Sequence, residues 1–480
     1  MSAQTFSYLV KTSVPSSYME NLLDFYQKFL QVQNNRFTNI SKLTENNKFA
    51  IKYDVVDPQK KHTLTVKVDV GNPLEITITP LDETITEQAI EEARQDVVIG
   101  VDFFEEQARL NTLFFVWREG EVITPATVSE KEKESISRLF LEMQIFLFVV
   151  FTAINLLVFI VLDGWLAPIV VLAVQLVFVF YSNKIVEKIA DWHITKSDPF
   201  IHLLEYPLPF EKRKELEKNY PVDKLISVKK EVYEQARFRK GEVNSETLSQ
   251  IFGKYGLKYC PENFSAKKVD VYQLVEKTRQ KFNFPMPKIV VSNTLMPNAA
   301  ASGPSSSRGV VLVTTGLLSQ LDENEIMSVL GHEFSHLKGR DPLILFALMS
   351  AEFLFRFYVF LPLVPLLFTT FFFFLYFWGV MTLIFFVAKF FEARADLVSA
   401  MVIQQPKTLA CALEKIGFKR LLPERIKSYR VQEWLNLDPH PPIYFRVNRL
   451  EKIENVATVK HPFIQSAKEV IKAFFDTLRR

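Results

Sequence analysis

The sequence predicts a mainly α-helical integral membrane protein with four transmembrane helices and an extra N-terminal α+β soluble domain. Two observations support the membrane part of this fold class. The 44 phenylalanines of the 480-residue chain are unevenly spread and are concentrated in two apolar blocks, and a turn interrupts each block. A third observation supports the soluble part, because alternating apolar and polar residues before the first block predict a short β-sheet.

Residues 1–135 are predicted to form the N-terminal accessory domain. Apolar residues recur at helical spacing within residues 17–32. The stretches 63-TLTVKVDV-70 and 74-LEITITP-80 alternate on either side of a Gly-Asn-Pro turn, which predicts a β-hairpin. A helix-rich segment near residues 84–95 follows. We see no residues suited to catalysis in this domain.

The first apolar block predicts a transmembrane hairpin over residues 136–182. Residues 145–162 carry no charge, which is long enough to cross most of a hydrocarbon core. Asp163 and Gly164 then make a tight turn. Residues 165–181 form a second apolar segment, near the lower length limit for a span.

The second apolar block predicts another transmembrane hairpin over residues 342–391. Pro362 and Pro365 divide it into two helices joined by a very short turn, and residues 357–388 carry no charge. The alternative is a set of helices buried in a large soluble core. A soluble core rarely needs apolar runs of this length, so the membrane interpretation is favoured.

The distribution of charge predicts the orientation of these helices. Neither hairpin turn contains lysine or arginine, whereas the flanks outside the turns contain several. The positive-inside rule therefore predicts a multi-pass protein of the cell membrane whose soluble regions all lie in the cytoplasm. The formal charge of +3 is close to balanced and gives no argument for nucleic-acid binding. Two cysteines fit a reducing compartment.

Two further soluble regions are predicted, at residues 183–341 and 392–480. The first contains short strands at 288–293 and 309–315 and ends in the stretch 329-VLGHEFSHLKGRD-341. Asp322 with Glu325 predicts a capping box that begins a helix here, and Gly339 predicts its C-terminal stop. The second region is predicted to be mostly helical.

His332 and His336 are the candidate metal ligands on this helix. They are four residues apart, so both imidazoles lie on one face and can reach one Zn²⁺ ion. Glu333 projects beside them, where its carboxylate can accept a proton from water at such an ion. The alternative is a chance occurrence of this spacing, with two ordinary surface histidines.

Glu392 is the candidate third ligand. It lies just after the second membrane hairpin, whose two ends emerge on the same side, so the hairpin returns it to the histidine helix. Asp396 is four residues further and shares its helix face, where it can hydrogen-bond the outer nitrogen of a ligand histidine. Taken alone, these two residues would be read as an acidic, solvated helix end.

Four stretches together resemble the HtpX-type membrane zinc metallopeptidases, relatives of the CAAX prenyl protease. They are 297-PNAAASG-303, 331-GHEFSHLKGRD-341, 392-EARAD-396 and 440-HPPIYFR-446. The resemblance covers roughly residues 136–450 and implies a gluzincin-like zinc protease domain with one Zn²⁺ per chain. The N-terminal domain and the charged insertion near 200–265 depart from the usual pattern.

The resemblance also implies roles for residues outside the metal ligands. Asn298 and Ala299 match a substrate-binding edge, where an extended peptide could pair with the backbone. The alternative for them is an ordinary loop. His440 and Arg446 match a motif that stabilises a developing oxyanion, although His440 could instead cap a turn before two prolines.

Glu352 and Arg356 are a further pair, placed within the third predicted membrane helix. Charges at that depth usually face the protein interior. Mutual neutralisation is the favoured interpretation, and a polar patch for membrane substrates is the alternative.

Three functions remain open from the sequence. The first is a membrane-bound zinc endopeptidase that cleaves membrane or membrane-proximal proteins, as in protein quality control. It would act on polypeptides at a lipid bilayer and would not bind nucleic acid. The second is a CAAX-type processing protease, which the count of four helices disfavours. The third is a catalytically inert membrane scaffold, which an intact Glu333 disfavours.

Overall fold

The computed structural model describes residues 5–32, 36–45, 48–57, 60–81, 85–118, 152–162, 164–209, 218–238, 243–363, 369–456 and 459–479. Its contacts divide the chain into two compact units. The first contains the described residues of Met1–Trp117 and His202–Lys267. The second contains those of Ala126–Ile201 and Lys268–Arg480.

The N-terminal part of the first unit is an α+β domain with a five-stranded antiparallel sheet. The strand order is β1-β5-β4-β3-β2. The strands are β1 (Phe6–Val10), β2 (Phe37–Glu45), β3 (Lys48–Asp57), β4 (Lys60–Asp69) and β5 (Leu74–Pro80). The pair β4–β5 is the predicted hairpin, with Val68 opposite Ile76, so this prediction is confirmed.

Two helices, α1 (Met19–Val32) and α2 (Glu87–Leu110), share one hydrophobic core with this sheet. Helix α1 confirms the helical spacing read at residues 17–32. The Tyr26 hydroxyl lies 2.9 Å from the Tyr53 hydroxyl, which satisfies two buried polar groups. Helix α2 extends well beyond the segment predicted near residues 84–95, because apolar residues continue at helical spacing. Those residues are Val97, Val101, Phe104 and Ala108.

The rest of the first unit joins strands from distant parts of the sequence. Strands β6 (Thr112–Arg118), β8 (Phe200–Pro207) and β9 (Ser265–Asp270) form a sheet in the order β6-β8-β9. Helices α5 (Val222–Phe238) and α6 (Ser245–Lys254) contribute to its core. This pairing groups residues 202–267 with the N-terminal residues, so the predicted region 183–341 is shared between the two units.

The second unit contains a four-stranded sheet in the order β11-β12-β10-β7. Its strands are β7 (Trp192–Ile194), β10 (Lys288–Ser292), β11 (Ala299–Ser302) and β12 (Val310–Thr314). Both predicted strands are present as the parallel pair β10 and β12. Strand β11 is antiparallel to β12 and forms one edge of the sheet. The helices that follow these strands or precede them are α7 (Val271–Phe282), α8 (Thr315–Gln320) and α9 (Glu323–Gly339).

Among the described residues, three helical spans are long and apolar enough to cross a membrane. They are Ala167–Ile189 (α4), Asp341–Leu363, which begins with α10 (Asp341–Phe355), and Phe371–Ile403 within α11 (Thr369–Ile403). Only 6%, 6% and 17% of their most apolar windows are buried in the protein, which disfavours the alternative of helices inside a soluble core. A shorter apolar helix, α3 (Thr152–Val161), precedes them. The rest of the segment predicted as the first of four spans lies outside the described residues.

Helix α11 continues past the predicted end of the second hairpin at residue 391. The sequence contains no glycine or proline between residues 380 and 405, so nothing interrupts the helix. The C-terminal region that follows is helical, as predicted. Its helices are α12 (Pro406–Leu421), α13 (Lys427–Leu435), α14 (Ile443–Glu451) and α15 (Pro462–Arg479).

Candidate metal centre

Helix α9 carries the two histidines. It begins as predicted, and its C-terminal end differs slightly from the prediction. The capping box is present, because Asp322 and Glu325 each accept the other's backbone N–H at 2.9 Å. The left-handed residue that ends the helix is Arg340, with φ of 54°, and not Gly339. A Cβ at Gly339 would lie 2.2 Å from the Arg394 guanidinium, so a larger residue there would displace that side chain.

The structure brings the three predicted metal ligands together. His332 Nε2 and His336 Nε2 are 3.1 Å apart. Glu392 Oε1 lies 3.2 Å from His336 Nε2, and Glu392 Oε2 lies 3.4 Å from His332 Nε2. All three side chains point into one small space between α9 and α11.

Small residues allow these two helices to approach closely. A Cβ at Gly331 would lie 2.6 Å from Ser399 Oγ and 2.9 Å from Ile403 Cγ1, so any larger residue would push α9 and α11 apart. The Ser399 hydroxyl also donates to the Ser328 carbonyl oxygen at 2.7 Å. This close packing is what carries Glu392 to the histidine pair.

The three ligands fit a zinc ion. Zn–N bonds of about 2.0–2.1 Å at a tetrahedral angle place two ligand atoms about 3.3 Å apart, which matches the separations at this site. Glu392 Oε2 is buried and accepts no hydrogen bond from the described residues, so it is free to ligate. Two imidazole nitrogens and a carboxylate are also the donor set of catalytic zinc sites.

The outer nitrogen of each histidine faces a carboxylate, which fixes the orientation of the ring. His332 Nδ1 lies 2.8 Å from Asp396 Oδ1, as the sequence predicts. His336 Nδ1 lies 2.7 Å from Asp341 Oδ2, and Arg394 contacts the same oxygen at 2.6 Å. This second carboxylate was not predicted from the sequence, although Asp341 closes the quoted motif.

The carboxylates also control the charge of the histidines. Burial lowers the pKa of His336, but Glu392 and Asp341 raise it, with a net rise to about 10. A zinc ligand must be the neutral imidazole, so this proton has to leave when an ion binds. Metal affinity should therefore increase with pH.

Arg446 pairs with Asp396, the carboxylate behind His332. Its Nε and Nη2 atoms donate to the two oxygens of Asp396 at 2.8 and 2.7 Å, and the side chain is buried. Burial lowers the pKa of Arg446, but the Asp396 charge more than offsets this, with a net rise. The guanidinium thus orients Asp396 behind His332. Its Nη2 atom also lies 3.9 Å from Glu392 Oε2, so a role for Arg446 beside a developing oxyanion stays a prediction.

His440 remains the candidate for stabilising an oxyanion. Its side chain is 46% exposed, and its Nε2 atom lies 3.7 Å from Glu392 Oε2. Asp438 holds the ring from behind, with Oδ1 at 2.7 Å from His440 Nδ1. The same oxygen accepts the His440 backbone N–H at 2.9 Å, so the turn-capping alternative describes part of the arrangement as well.

Two basic residues that the sequence analysis did not single out hold this loop. Lys389, fully buried on α11, donates to the Asp438 carbonyl oxygen. Arg420 lies 3.2 Å from Asp438 Oδ2. Burial raises the pKa of Asp438, but hydrogen bonds from His440 reverse this and lower it, so the carboxylate stays charged. The roles of Lys389 and Arg420 are difficult to predict from the sequence, because the chain contains many other lysines and arginines.

The predicted substrate edge lies next to the predicted general base. Strand β11 begins at Ala299, and the Ala301 N–H donates to Glu333 Oε2 at 2.9 Å. Asn298 is tied to the sheet, because its N–H donates to Thr314 Oγ1 at 2.9 Å. The free edge of β11 and the Glu333 carboxylate therefore share one border of the metal centre.

Glu352 and Arg356 lie away from this centre, in the Asp341–Leu363 span. Arg356 Nε is 3.2 Å from Glu352 Oε1, and the guanidinium lies over the rings of Phe353, Phe373 and Phe377. This arrangement favours the interpretation as a mutually neutralising pair.

Comparison with known proteins gives a family match over the part of the chain that contains the candidate metal centre. Residues 265–454 match the sequence profile of Peptidase family M48. A "Protease HtpX homolog" of Thermodesulfovibrio yellowstonii is 40% identical over 94 residues, covering 20% of this chain and 32% of the relative. One from Campylobacter concisus is 48% identical over 71 residues, covering 15% and 25%. One from Pyrococcus furiosus is 43% identical over 75 residues, covering 16% and 26%.

The matches to these relatives thus span about a quarter to a third of their length. A solved structure described as "Crystal Structure of S. mikatae Ste24p" aligns with a TM-score of 0.30 and 17% identity, over 37% of this chain and 49% of that one. The profile match contains both histidines, the third ligand and the HPPIYFR stretch. Residues 265–454 therefore match Peptidase family M48, within a chain that has apolar membrane-length helices and is similar to the HtpX homologues over part of its length.

Proposed function

We propose that this protein is a membrane-integral, zinc-dependent endopeptidase that cleaves membrane or membrane-proximal polypeptides. One observation carries the proposal: His332, His336 and Glu392 converge at zinc-ligand separations, with the Glu333 carboxylate beside them. The sequence assigns the site to the HExxH type with a later glutamate ligand. The M48 profile over the same residues supports a metallopeptidase.

Substrate binding is assigned to the edge of β11. An extended peptide could add to this edge by backbone hydrogen bonds, with Asn298 and Ala299 at the start of the strand. Such a peptide would pass in front of Glu333, which is already within hydrogen-bond distance of the Ala301 N–H. The scissile carbonyl would thereby be held near the metal ligands.

Hydrolysis needs a base, an electrophile and an oxyanion partner. Zinc held by the three ligands would polarise the scissile carbonyl and make water more acidic. Glu333 accepts a proton from the attacking water and delivers it to the leaving amine nitrogen as the C–N bond breaks. His440, held by Asp438, donates a hydrogen bond through Nε2 to the carbonyl oxygen as its negative charge develops.

The position of the site suggests which substrates it reaches. Glu392 lies on α11 only four residues after the charge-free stretch that ends at residue 388, so the centre is close to the bilayer surface. Lysine and arginine in the flanks of the hairpins favour a cytoplasmic active site. Protein quality control in the cell membrane is the role that the HtpX resemblance implies.

The two alternative functions are less well supported. A CAAX-type processing protease resembles a larger bundle of membrane helices, whereas the described residues contain three candidate spans and one shorter apolar helix. An inert scaffold would not require Glu333 at this place. The buried carboxylates and arginines behind both histidines also favour a working metal site.

Replacement of Glu333 tests the proposed function. Glu333→Gln keeps the size of the side chain but removes the basic group, so zinc content should be retained while proteolysis falls by about 10²-fold or more. The matched control is Glu323→Gln, the same change on an exposed residue of α9. Unchanged hydrolysis of an unstructured protein substrate by Glu333→Gln would exclude the assignment. Cleavage confined to prenylated peptides would favour the CAAX alternative.

A further inference from the structure

Helix α15 has one face that is fixed against the rest of the second unit. Phe474 packs on Phe386 with ring centroids 5.3 Å apart, and Phe463 packs on Phe391 at 5.6 Å. Trp434 Nε1 donates to Thr477 Oγ1 at 3.2 Å. These contacts lie along the whole helix, so they determine its rotation about its own axis.

A second face of α15 is apolar and exposed. Four large side chains along it are between 40% and 53% exposed among the described residues. They are Ile464, Ile471, Phe475 and Leu478. Their spacing of seven, four and three residues places them on one side of the helix, adjacent to the buried side. A continuous exposed apolar stripe of this kind indicates an interaction surface.

The charges of α15 are ordered around this apolar stripe. At 3.6 residues per turn, Lys468, Lys472 and Arg479 lie about 40–80° from Ile464 around the helix axis. Glu469 and Asp476 lie further round, at about 120–140°. The basic side chains therefore border the apolar stripe on the side opposite the buried face, and the acidic ones are farthest from it.

The position of α15 agrees with a bilayer surface. Its aromatic side chains pack beside residues 386 and 391 of α11, and the charge-free stretch of α11 ends at residue 388. A membrane-crossing helix leaves the hydrocarbon region near the first charged residues of its flank. The helix that carries the apolar stripe is thus packed beside the end of the charge-free stretch of α11, at the level where lipid headgroups begin.

We propose that α15 lies in the membrane interface and binds anionic phospholipid. Ile464, Ile471, Phe475 and Leu478 enter the boundary between headgroups and acyl chains, while Lys468, Lys472 and Arg479 contact lipid phosphates. Apolar residues on one face with lysine and arginine beside them are the pattern of helices that rest in this interface. The proposal does not depend on proteolytic activity.

Depth-dependent quenching in the full-length protein tests this placement. Single cysteines are introduced as Ile471→Cys, Phe475→Cys or Asp476→Cys, in a background where the native Cys260 and Cys411 are replaced by serine. Each variant is labelled with an environment-sensitive fluorophore and reconstituted in phosphatidylcholine bilayers, with or without phosphatidylglycerol. Lipids with a spin label near the headgroup serve as quenchers.

The probes at residues 471 and 475 should lose about half or more of their fluorescence, because an interfacial helix buries its apolar face about 5–10 Å deep. The probe at residue 476 is the matched control on the same helix and should lose little. Quenching at 471 and 475 should be stronger with phosphatidylglycerol. Replacing Lys468, Lys472 and Arg479 by glutamine should remove this difference between the two lipids.

Two results would overturn the proposal. Absence of quenching at both 471 and 475 would mean that protein covers the apolar stripe, and disulfide formation between Ile471→Cys copies would identify a second chain as that partner. Equal quenching in both bilayers would exclude selective binding of anionic lipid. Size-exclusion profiles and zinc content, measured on every variant, separate these results from misfolding.

Discussion

Asp396→Asn is the variant that examines the buried contacts behind the metal ligands most directly. Asp396 is fully buried, and its carboxylate contacts His332 Nδ1 at 2.8 Å and Arg446 at 2.7 and 2.8 Å. Asparagine has the same size but no charge. The change therefore removes the two hydrogen-bonded carboxylate contacts of buried Arg446, leaving Glu392 Oε2 at 3.9 Å, and it removes the carboxylate partner of His332 Nδ1.

Two effects of different magnitude are expected. Removing one member of a buried ion pair costs about 3–5 kcal/mol in the free energy of unfolding. For a folded unit of 150–250 residues or more, this lowers Tm by roughly 10 °C. Losing the carboxylate behind a ligand histidine weakens metal binding by about 10–100-fold.

A double variant separates these two effects. In Asp396→Asn/Arg446→Met both buried charges are absent, so most of the lost stability should return. Zinc affinity should stay low, because His332 still lacks its carboxylate. Thermal unfolding of the metal-free protein reports the first quantity, and competition for zinc with a chelator of known affinity reports the second.

Asp476→Asn, the same change on a partly exposed residue of α15, is the control and should behave as the wild type. The reasoning would be refuted if Asp396→Asn had the Tm and the zinc affinity of the wild type. It would also be refuted if the double variant were less stable than Asp396→Asn, because the cost would then not arise from an unpaired charge.

Three further predictions follow from the same structure. His336→Ala should lose most of the zinc from the purified chain, and metal analysis that still found one ion per chain would exclude the ligand set. Deletion of residues 1–110 keeps β6, which pairs with β8. It should preserve zinc content and cleavage of a short unstructured peptide, because all metal-site residues lie in the second unit. Loss of peptide cleavage in a folded, zinc-loaded deletion variant would contradict this. Glu424→Gln should alter how stability depends on pH. Burial raises the pKa of Glu424 to about 7, although hydrogen bonds from the backbone N–H groups of Tyr444 and Ile443 lower it. Between these two pKa values, the folded state holds a proton on Glu424 that the unfolded chain has released. The stabilisation that this proton gives is present below the ordinary pKa of 4.5 and is lost as pH rises through about 7. Between about pH 5 and 8, the free energy of unfolding of the wild type should fall relative to that of Glu424→Gln by roughly 2 kcal/mol. Parallel curves of this free energy against pH would contradict the prediction.

The convergence of His332, His336 and Glu392 was predictable because it depends on local geometry. The spacing of His332 and His336 and that of Glu392 and Asp396 each fix one helix face, and a hairpin joins the two helices. Asp341 was harder to predict, because it follows Arg340, whose left-handed backbone changes the direction of the chain at that point. Helical periodicity therefore gives no indication that its carboxylate turns back to His336.

Arg446 illustrates a different limit of prediction from sequence. Its position in the HPPIYFR stretch implied a role at the reaction centre, but the structure pairs it with Asp396. A guanidinium can pair with any of several carboxylates, and which one it meets depends on how α14 packs beside α11. That packing is a long-range property that a one-dimensional pattern does not contain.

The organisation of the soluble regions was only partly predictable for the same reason. The hairpin β4–β5 is local and was read correctly from alternation and a turn. The sheet β6-β8-β9 joins strands separated by more than eighty and fifty residues, and nothing in the strands themselves names their partners. The first of the four predicted spans remains a prediction, with only α3 at its C-terminal end described.

The division of the metal ligands between α9 and α11 has a consequence for biogenesis. A ribosome delivers His332 and His336 long before Glu392, and the segment between them has to enter the lipid before α11 can return to α9. A chain that has not completed insertion therefore holds an incomplete ligand set. Under the proposed function, this order of assembly would keep a newly made chain inactive until it has reached its membrane.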